Sequence, residues 1–228
     1  MDAPATNPSA AYEAVRDELI GALQGVGPDT AARTVPGTPA WTVKDVAAHL
    51  CGLNAELLAE VSGGLGSDEA TSRQVGDRGA ADLGQVLDEW RSLASKIRER
   101  LDANQAMATA LLADLVIHAY DLAEVLDQPT SEAQRATPAS AHRYVPLLQK
   151  RIADQASISL TIDLTDGSSW TPPVPEQATT MTLRADPKSF LQGVTGRLRR
   201  SDVEAFDWSA DPTHILDNAW NQYGTFRT

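Results

Sequence analysis

Apolar residues recur at helical spacing through the first two thirds of the chain and at a spacing of two near its end. In the segment after Pro39, the residues Val43, Val46, Ala47, Leu50, Leu57, Leu58 and Val61 share one helical face. Thr42 is a good N-cap for this helix, with Asp45 in its first turn, and Gly63-Gly64 is its expected stop. An earlier amphipathic helix spans Tyr12–Leu23 and ends at the Gly25, Gly27, Pro28 turn. A third runs from about Ala81 to Leu101, with Leu83, Val86, Leu87, Trp90, Leu93, Ile97 and Leu101 inward. A fourth, Ala106–Leu126, is aliphatic on nearly every side and closes near Gln128-Pro129. A shorter helix covers roughly Ala139–Ala153. Between the second and third helices, Gly66–Gly79 is polar and reads as a long surface loop, a length at which loops often carry function.

The texture then changes. Ser157–Leu164 alternates as a half-buried strand does, and Asp166-Gly167 signals a hairpin returning along Ser168–Thr171. Thr179–Ala185 alternates again. Asp186-Pro187 opens a helix, Val203–Phe206 reads as a further strand, and Asp211-Pro212 opens a last helix to about Gln222. The expected class is α+β: a helical bundle over residues 1–152, then a small α/β domain of sheet and two helices over 153–228.

Composition narrows the function. The 228 residues are 42% hydrophobic and 22% charged, with a formal net charge of −12. Such a chain repels phosphate backbones, so nucleic-acid binding is not expected. An anionic ligand needs a local basic patch, and Arg197, Arg199 and Arg200 form the one strong basic cluster. Arg73 and Arg78 in the polar stretch are weaker candidates. The single cysteine, Cys51, rules out an internal disulfide and fits a reducing compartment. The first residues (MDAPATNPSAAYEAV) lack the pattern of a signal peptide, and no run of apolar residues free of charge is long enough for a membrane span. The expectation is a cytoplasmic monomer or homodimer.

The chemistry sits in the most apolar helix. Asp114 and His118 lie four apart there, hence on one face, and an unpartnered carboxylate among aliphatic residues is costly. His49 lies within the apolar face of the second helix. Facing helices of a bundle can bring the three together, and two imidazoles with one carboxylate suit zinc with one position open, or iron(II). A buried Asp–His hydrogen bond that merely orders the helix would use the same spacing. Asp121, three after His118, is either an orienting group or a solvated acid; Asp45 is better read as helix N-terminal charge. Cys51 points away from His49 around the helix and reads as a buried structural thiol. His142 and His214 read as surface residues.

The blocks WTVKDVAAHL and DLVIHAYDLAEVL resemble the mycothiol-dependent maleylpyruvate isomerase family, a branch of the DinB-like four-helix-bundle proteins. LQGVTGRLRR and the closing YGTFRT resemble that family's smaller C-terminal domain, which is similar to sterol carrier protein folds. The resemblance implies zinc held by His49, Asp114 and His118, with Asp114 one methylene shorter than the glutamate of the archetype. It implies a functional arginine at Arg197, or a turn arginine at that place, and mycothiol as the thiol cofactor. Arg199, Arg200 and Arg73 are then the candidate cofactor-binding residues. Expected partners are a small electrophilic substrate and the thiol, with isomerisation or S-transfer as the reaction. A hydrolase using zinc-bound water and a non-catalytic binding bundle are the rival readings.

Overall fold

The computed structural model describes residues 7–61, 66–128, 130–155, 158–174 and 178–228. The chain is α+β and divides into two compact units, one ending at Ala136 and one beginning at Thr137. Each is described by itself.

The first unit opens with α1 (Pro8–Leu23), whose first turn is capped by the Asn7 side chain. A single turn, α2 (Pro28–Ala31), leads into a two-stranded antiparallel ribbon, β1 (Thr34–Val35) and β2 (Thr38–Thr42). The ribbon lies in a stretch expected to hold only helix and turn; its strands are too short for an alternation to register. Three helices follow: α3 (Val43–Leu58), α4 (Asp68–Gly76) and α5 (Leu83–Asp102). The bundle closes with α6 (Gln105–Leu126), which ends at Asp127 in the left-handed conformation, φ 50°. Helix α1 packs on α6 and α5, and α3 packs on α5, α6 and α4.

Two starts follow from local chemistry. At α3, the Thr42 hydroxyl accepts from the Asp45 N–H at 3.2 Å while the Asp45 carboxylate accepts from the Thr42 N–H at 2.9 Å. At α5, Asp82 and Gln85 form the same reciprocal pair. Helix α3 ends at Leu58, short of Val61, and Glu60 takes a φ of 54°. The expected Gly63-Gly64 stop and the Pro129 end signal of α6 lie outside the described residues.

The stretch Gly66–Gly79, expected to be a loop, contains α4. Its apolar content is low, which hid it. Ser67 caps it, Asp68 and Glu69 favour its positive end, and only Ala70 and Gln74 are buried. Gly52 lets it approach α3: a Cβ there would lie 2.6 Å from the Gln74 Cβ and 3.0 Å from its Cα. Helix α6 is, among the described residues, the one helix long and apolar enough to cross a membrane; 67% of its apolar stretch is buried within the protein.

Helix α7 (Ser131–Gln155) begins in the first unit and runs into the second. It starts a full two turns before the expected Ala139, passing through Pro138. The second unit's sheet has the order β4-β3-β5-β6. Strands β3 (Ile158–Leu164) and β5 (Thr179–Ala185) pair in parallel, so Leu160, Ile162 and Leu164 meet Met181, Leu183 and Ala185 on one buried face. Strand β4 (Ser169–Trp170) returns from the Asp166-Gly167 turn, with Gly167 at φ 91°. Helix α8 (Pro187–Val194) starts on the Asp186 cap as expected.

The expected strand at Val203–Phe206 is corrected by the structure. Val203 belongs to a short helix, α9 (Arg200–Glu204), started by Asp202 accepting from the Arg199 N–H at 3.1 Å. The strand, β6 (Asp207–Trp208), comes after it, and α10 (Thr213–Asn218) follows, stopping before Gln222. Trp220 centres this core, with Phe190, Phe206 and Trp208 set edgewise around it and its indole N–H donating to Gly193 O at 2.9 Å.

Candidate metal centre

Helices α3 and α6 bring His49, Asp114 and His118 together: one potential ligand atom from each lies within 4.8 Å of the others. His49 Nε2 is 3.4 Å from Asp114 Oδ2, and His118 Nε2 is 3.9 Å from Asp114 Oδ1. Both imidazoles are buried, whereas the Asp114 side chain keeps 25% exposure and so gives the cluster its access. The rings stand edge to face, centroids 5.2 Å apart at 73°. Trp41, from the end of β2, tilts over both, 5.0 Å from the His49 ring and 5.8 Å from that of His118.

The outer nitrogens decide what the inner ones offer. His118 Nδ1 donates to Asp121 Oδ2 at 3.0 Å. Asp121 is 3% exposed, so of its two sequence readings the orienting one describes where it lies. His49 Nδ1 donates to Gln74 Oε1 at 2.8 Å. A ring whose single hydrogen is the one on Nδ1 turns an Nε2 lone pair toward the Asp114 carboxylate. Three acceptors facing one point disfavour one another unless a positive charge stands between them. The donor set and geometry fit a divalent cation. Around zinc bound at 2.0–2.1 Å, neighbouring tetrahedral ligand atoms are roughly 3.3–3.4 Å apart. The His49–Asp114 pair has that separation to Oδ2, whereas His118 is 3.9 Å from the other oxygen, Oδ1, so the three would draw closer around a bound ion.

Sequence reasoning missed the groups behind His49. Gln74 Nε2 donates to Glu56 Oε2 at 2.7 Å, and Arg73 Nε donates to Glu56 Oε1 at 2.6 Å. Burial raises the Glu56 carboxyl, but the hydrogen bonds from Arg73 and Gln74 outweigh it and hold the group below the ordinary carboxylate range. Glu56 was legible by the argument that singled out Asp114, an acid inside an apolar helix. Gln74 carried no such signal. Arg73, a candidate cofactor residue, has its guanidinium on Glu56, and Arg78 bonds Glu89 and Gln74 O.

Cys51 is fully buried, and burial pushes its thiol up to about 12, only partly offset by Arg78. It is no nucleophile at neutral pH. Asp45 serves the α3 cap. His214 is exposed, and His142 is half-buried, with Nε2 within 3.1 Å of both Asp166 and Ser168.

The basic cluster belongs to the second unit. Arg197 follows Gly196, whose φ of 78° and 2.4 Å clearance to Thr225 O admit no side chain. Its Nη1 donates to Thr195 O at 2.8 Å. Arg199 pairs with Asp202, and Arg200 with Glu204 and Asp217. The closing segment returns over this turn, with Arg227 N–H donating to Leu198 O at 3.1 Å.

The first unit is thus a four-helix bundle carrying a His/Asp/His cluster that could hold a metal ion. Residues 12–123, most of the first unit, match the mycothiol maleylpyruvate isomerase N-terminal domain. Among solved structures, it is similar to a mycothiol-dependent maleylpyruvate isomerase, at 13% identity and a TM-score of 0.57, over 92% of this chain and 95% of that one. A histidine-to-alanine variant of that isomerase matches at 14% identity with the same coverage and TM-score. At this identity the likeness is one of fold. No curated protein sequence matches the chain.

Proposed function

We propose that the protein is a mycothiol-dependent enzyme acting on a small electrophilic, anionic substrate, with cis–trans isomerisation of the maleylpyruvate type as its reaction. The observation that carries this reading is the convergence of two imidazole Nε2 atoms on the Asp114 carboxylate within a domain of this family. His49, Asp114 and His118 hold the metal, for which the ligand set suits zinc. A zinc ion so held supplies a Lewis-acid position that keeps a thiol ionised near neutral pH, ready for reversible addition to a cis double bond.

The chain's own residues prepare that position. Asp121 and Gln74 aim the two imidazoles. Trp41 walls one side of the cluster and limits water around it. Cys51 offers no competing thiolate, so the sulfur comes from outside the chain. Arg197 is the candidate for holding a substrate carboxylate, as arginine's fork suits that group. Arg199 and Arg200 are proposed to assist with an anionic cofactor, and each would have to release an acid to do so. Arg73 is proposed to act through Glu56 instead. Low-molecular-weight thiols of this kind belong to a reducing cytoplasm, where a lone buried cysteine is at home.

The test is turnover of maleylpyruvate by the zinc-loaded protein with and without mycothiol. Isomerisation that needs both thiol and metal supports the reading. Turnover without thiol would assign a hydrolase to the same ligands, and a stable thioether product would assign S-transfer. No metal uptake and no effect of chelator on stability would leave only a binding bundle.

A further inference from the structure

We propose that Gln74 is a positioning residue that sets the tautomer of His49, and that Glu56 determines which way up Gln74 sits. A glutamine amide can present either its oxygen or its nitrogen to a neighbour. A carboxylate has only acceptors. Because Glu56 Oε2 lies 2.7 Å from the amide nitrogen, the amide oxygen is left for His49 Nδ1, 2.8 Å away. That oxygen can only accept, so the imidazole must carry its hydrogen on Nδ1. An unrestrained neutral imidazole favours the opposite form, with hydrogen on Nε2, which would point an N–H at the place where a lone pair is needed. Arg73 fixes the other Glu56 oxygen at 2.6 Å and so completes the chain from Arg73 to Glu56, Gln74 and His49.

The arrangement gives the two imidazoles different supports. His118 rests on a carboxylate, Asp121, and His49 on a neutral amide. A charged acceptor strengthens its imidazole as a donor to metal more than a neutral one does. His118 is therefore the stronger ligand and His49 the weaker. Gln74 is fully buried, and its Cα and Cβ lie close against Gly52 of α3, which holds its backbone in place beside His49. The consequence for metal binding rests on the metal reading above. The tautomer does not, because it belongs to the metal-free chain.

Two measurements on the full chain test this. Ring-nitrogen NMR of the metal-free protein reports the tautomer of His49. Competition against a chromophoric chelator reports zinc affinity. The native chain should show hydrogen on Nδ1 of His49. Gln74→Met, similar in length but without an acceptor, should admit the Nε2–H form and weaken zinc binding about 10- to 100-fold. Glu56→Gln should do the same to a lesser degree, because a second amide no longer dictates the first. The double variant Gln74→Glu with Glu56→Gln exchanges carboxylate and amide along the chain. It should restore the Nδ1–H form and bring affinity within about threefold of the native value, or above it. A role in packing alone would not be rescued by that exchange. The proposal is overturned if Gln74→Met keeps the Nδ1–H form at native affinity, or if the exchanged pair is no better than Glu56→Gln alone. A native chain that takes up no zinc would sink the metal reading while the NMR measurement still decides the tautomer. If Gln74→Met does not fold, Glu56→Gln and the exchanged pair carry the test.

Discussion

Asp114→Asn should change the protein's stability in opposite directions with and without metal. In the metal-free chain the Asp114 carboxylate faces two imidazole nitrogens at 3.4 and 3.9 Å, and a ring whose single hydrogen is on Nδ1 meets it with a lone pair. Asparagine removes the charge and places an amide N–H where it can donate to His49 Nε2, after a closing of a few tenths of an ångström. One net hydrogen bond contributes about 0.5–1.5 kcal/mol. At about 2–4 °C per kcal/mol for a chain of this size, the metal-free variant should melt about 1–6 °C above native. Zinc reverses the order. Present at about 100 times its Kd, it should stabilise the native chain by about 2.7 kcal/mol, or roughly 5–11 °C, and the variant much less because one of its three ligands no longer carries charge. The assay is thermal unfolding at pH 8 with chelator and with excess zinc. A metal-free variant that melts well below native, or one that gains as much from zinc as native does, would refute the idea that the cluster awaits a cation.

The native protein should carry about one zinc per chain by elemental analysis, with most of it lost in His49→Ala and in His118→Ala; retention in both would name the wrong ligands. Gly52→Ala should improve helix propensity by up to about 1 kcal/mol yet weaken zinc affinity, because its Cβ would meet the Gln74 Cβ at 2.6 Å and push α4, with the His49 hydrogen bond, off α3. Unchanged affinity with raised stability would show that the close approach has no part in the site. Cys51 makes a pH prediction. Its folded thiol titrates at about 12 against an ordinary value of 9.0, so between these pH values the unfolded chain has lost a proton that the folded chain keeps. Stability therefore falls as pH rises through that window, by up to about 1.4 kcal/mol per unit. Urea midpoints at pH 8, 9 and 10 should drop more steeply for native protein than for Cys51→Ala, and parallel slopes would contradict the burial argument.

How much of this was legible in the sequence depended on whether a residue's role left a trace in local patterning. Helices α3, α5 and α6 did, because the apolar stripes of α3 and α5 and the all-round apolar surface of α6 run for many turns. The His49, Asp114 and His118 cluster did too, since a charged or imidazole group in an aliphatic helix breaks the pattern that surrounds it. Val203 misled because a single buried apolar residue between two acids fits either a strand or a helical turn, and the deciding interaction, Asp202 with the Arg199 N–H, is a capping contact with a single acid as its signal. Helix α4 was hidden for a different reason: it buries only Ala70 and Gln74, so hydrophobic periodicity has nothing to register. Yet that helix supplies the group against which His49 is held. The ligands of such a centre are written as exceptions to an apolar pattern, whereas the residue that orients one of them is written as an ordinary polar residue in a polar stretch. Glu56 connects the two: it is a buried acid on the patterned helix, so a partner for it is required, but that its partners are Arg73 and Gln74 is decided by the packing of α4 on α3 and not by any local pattern.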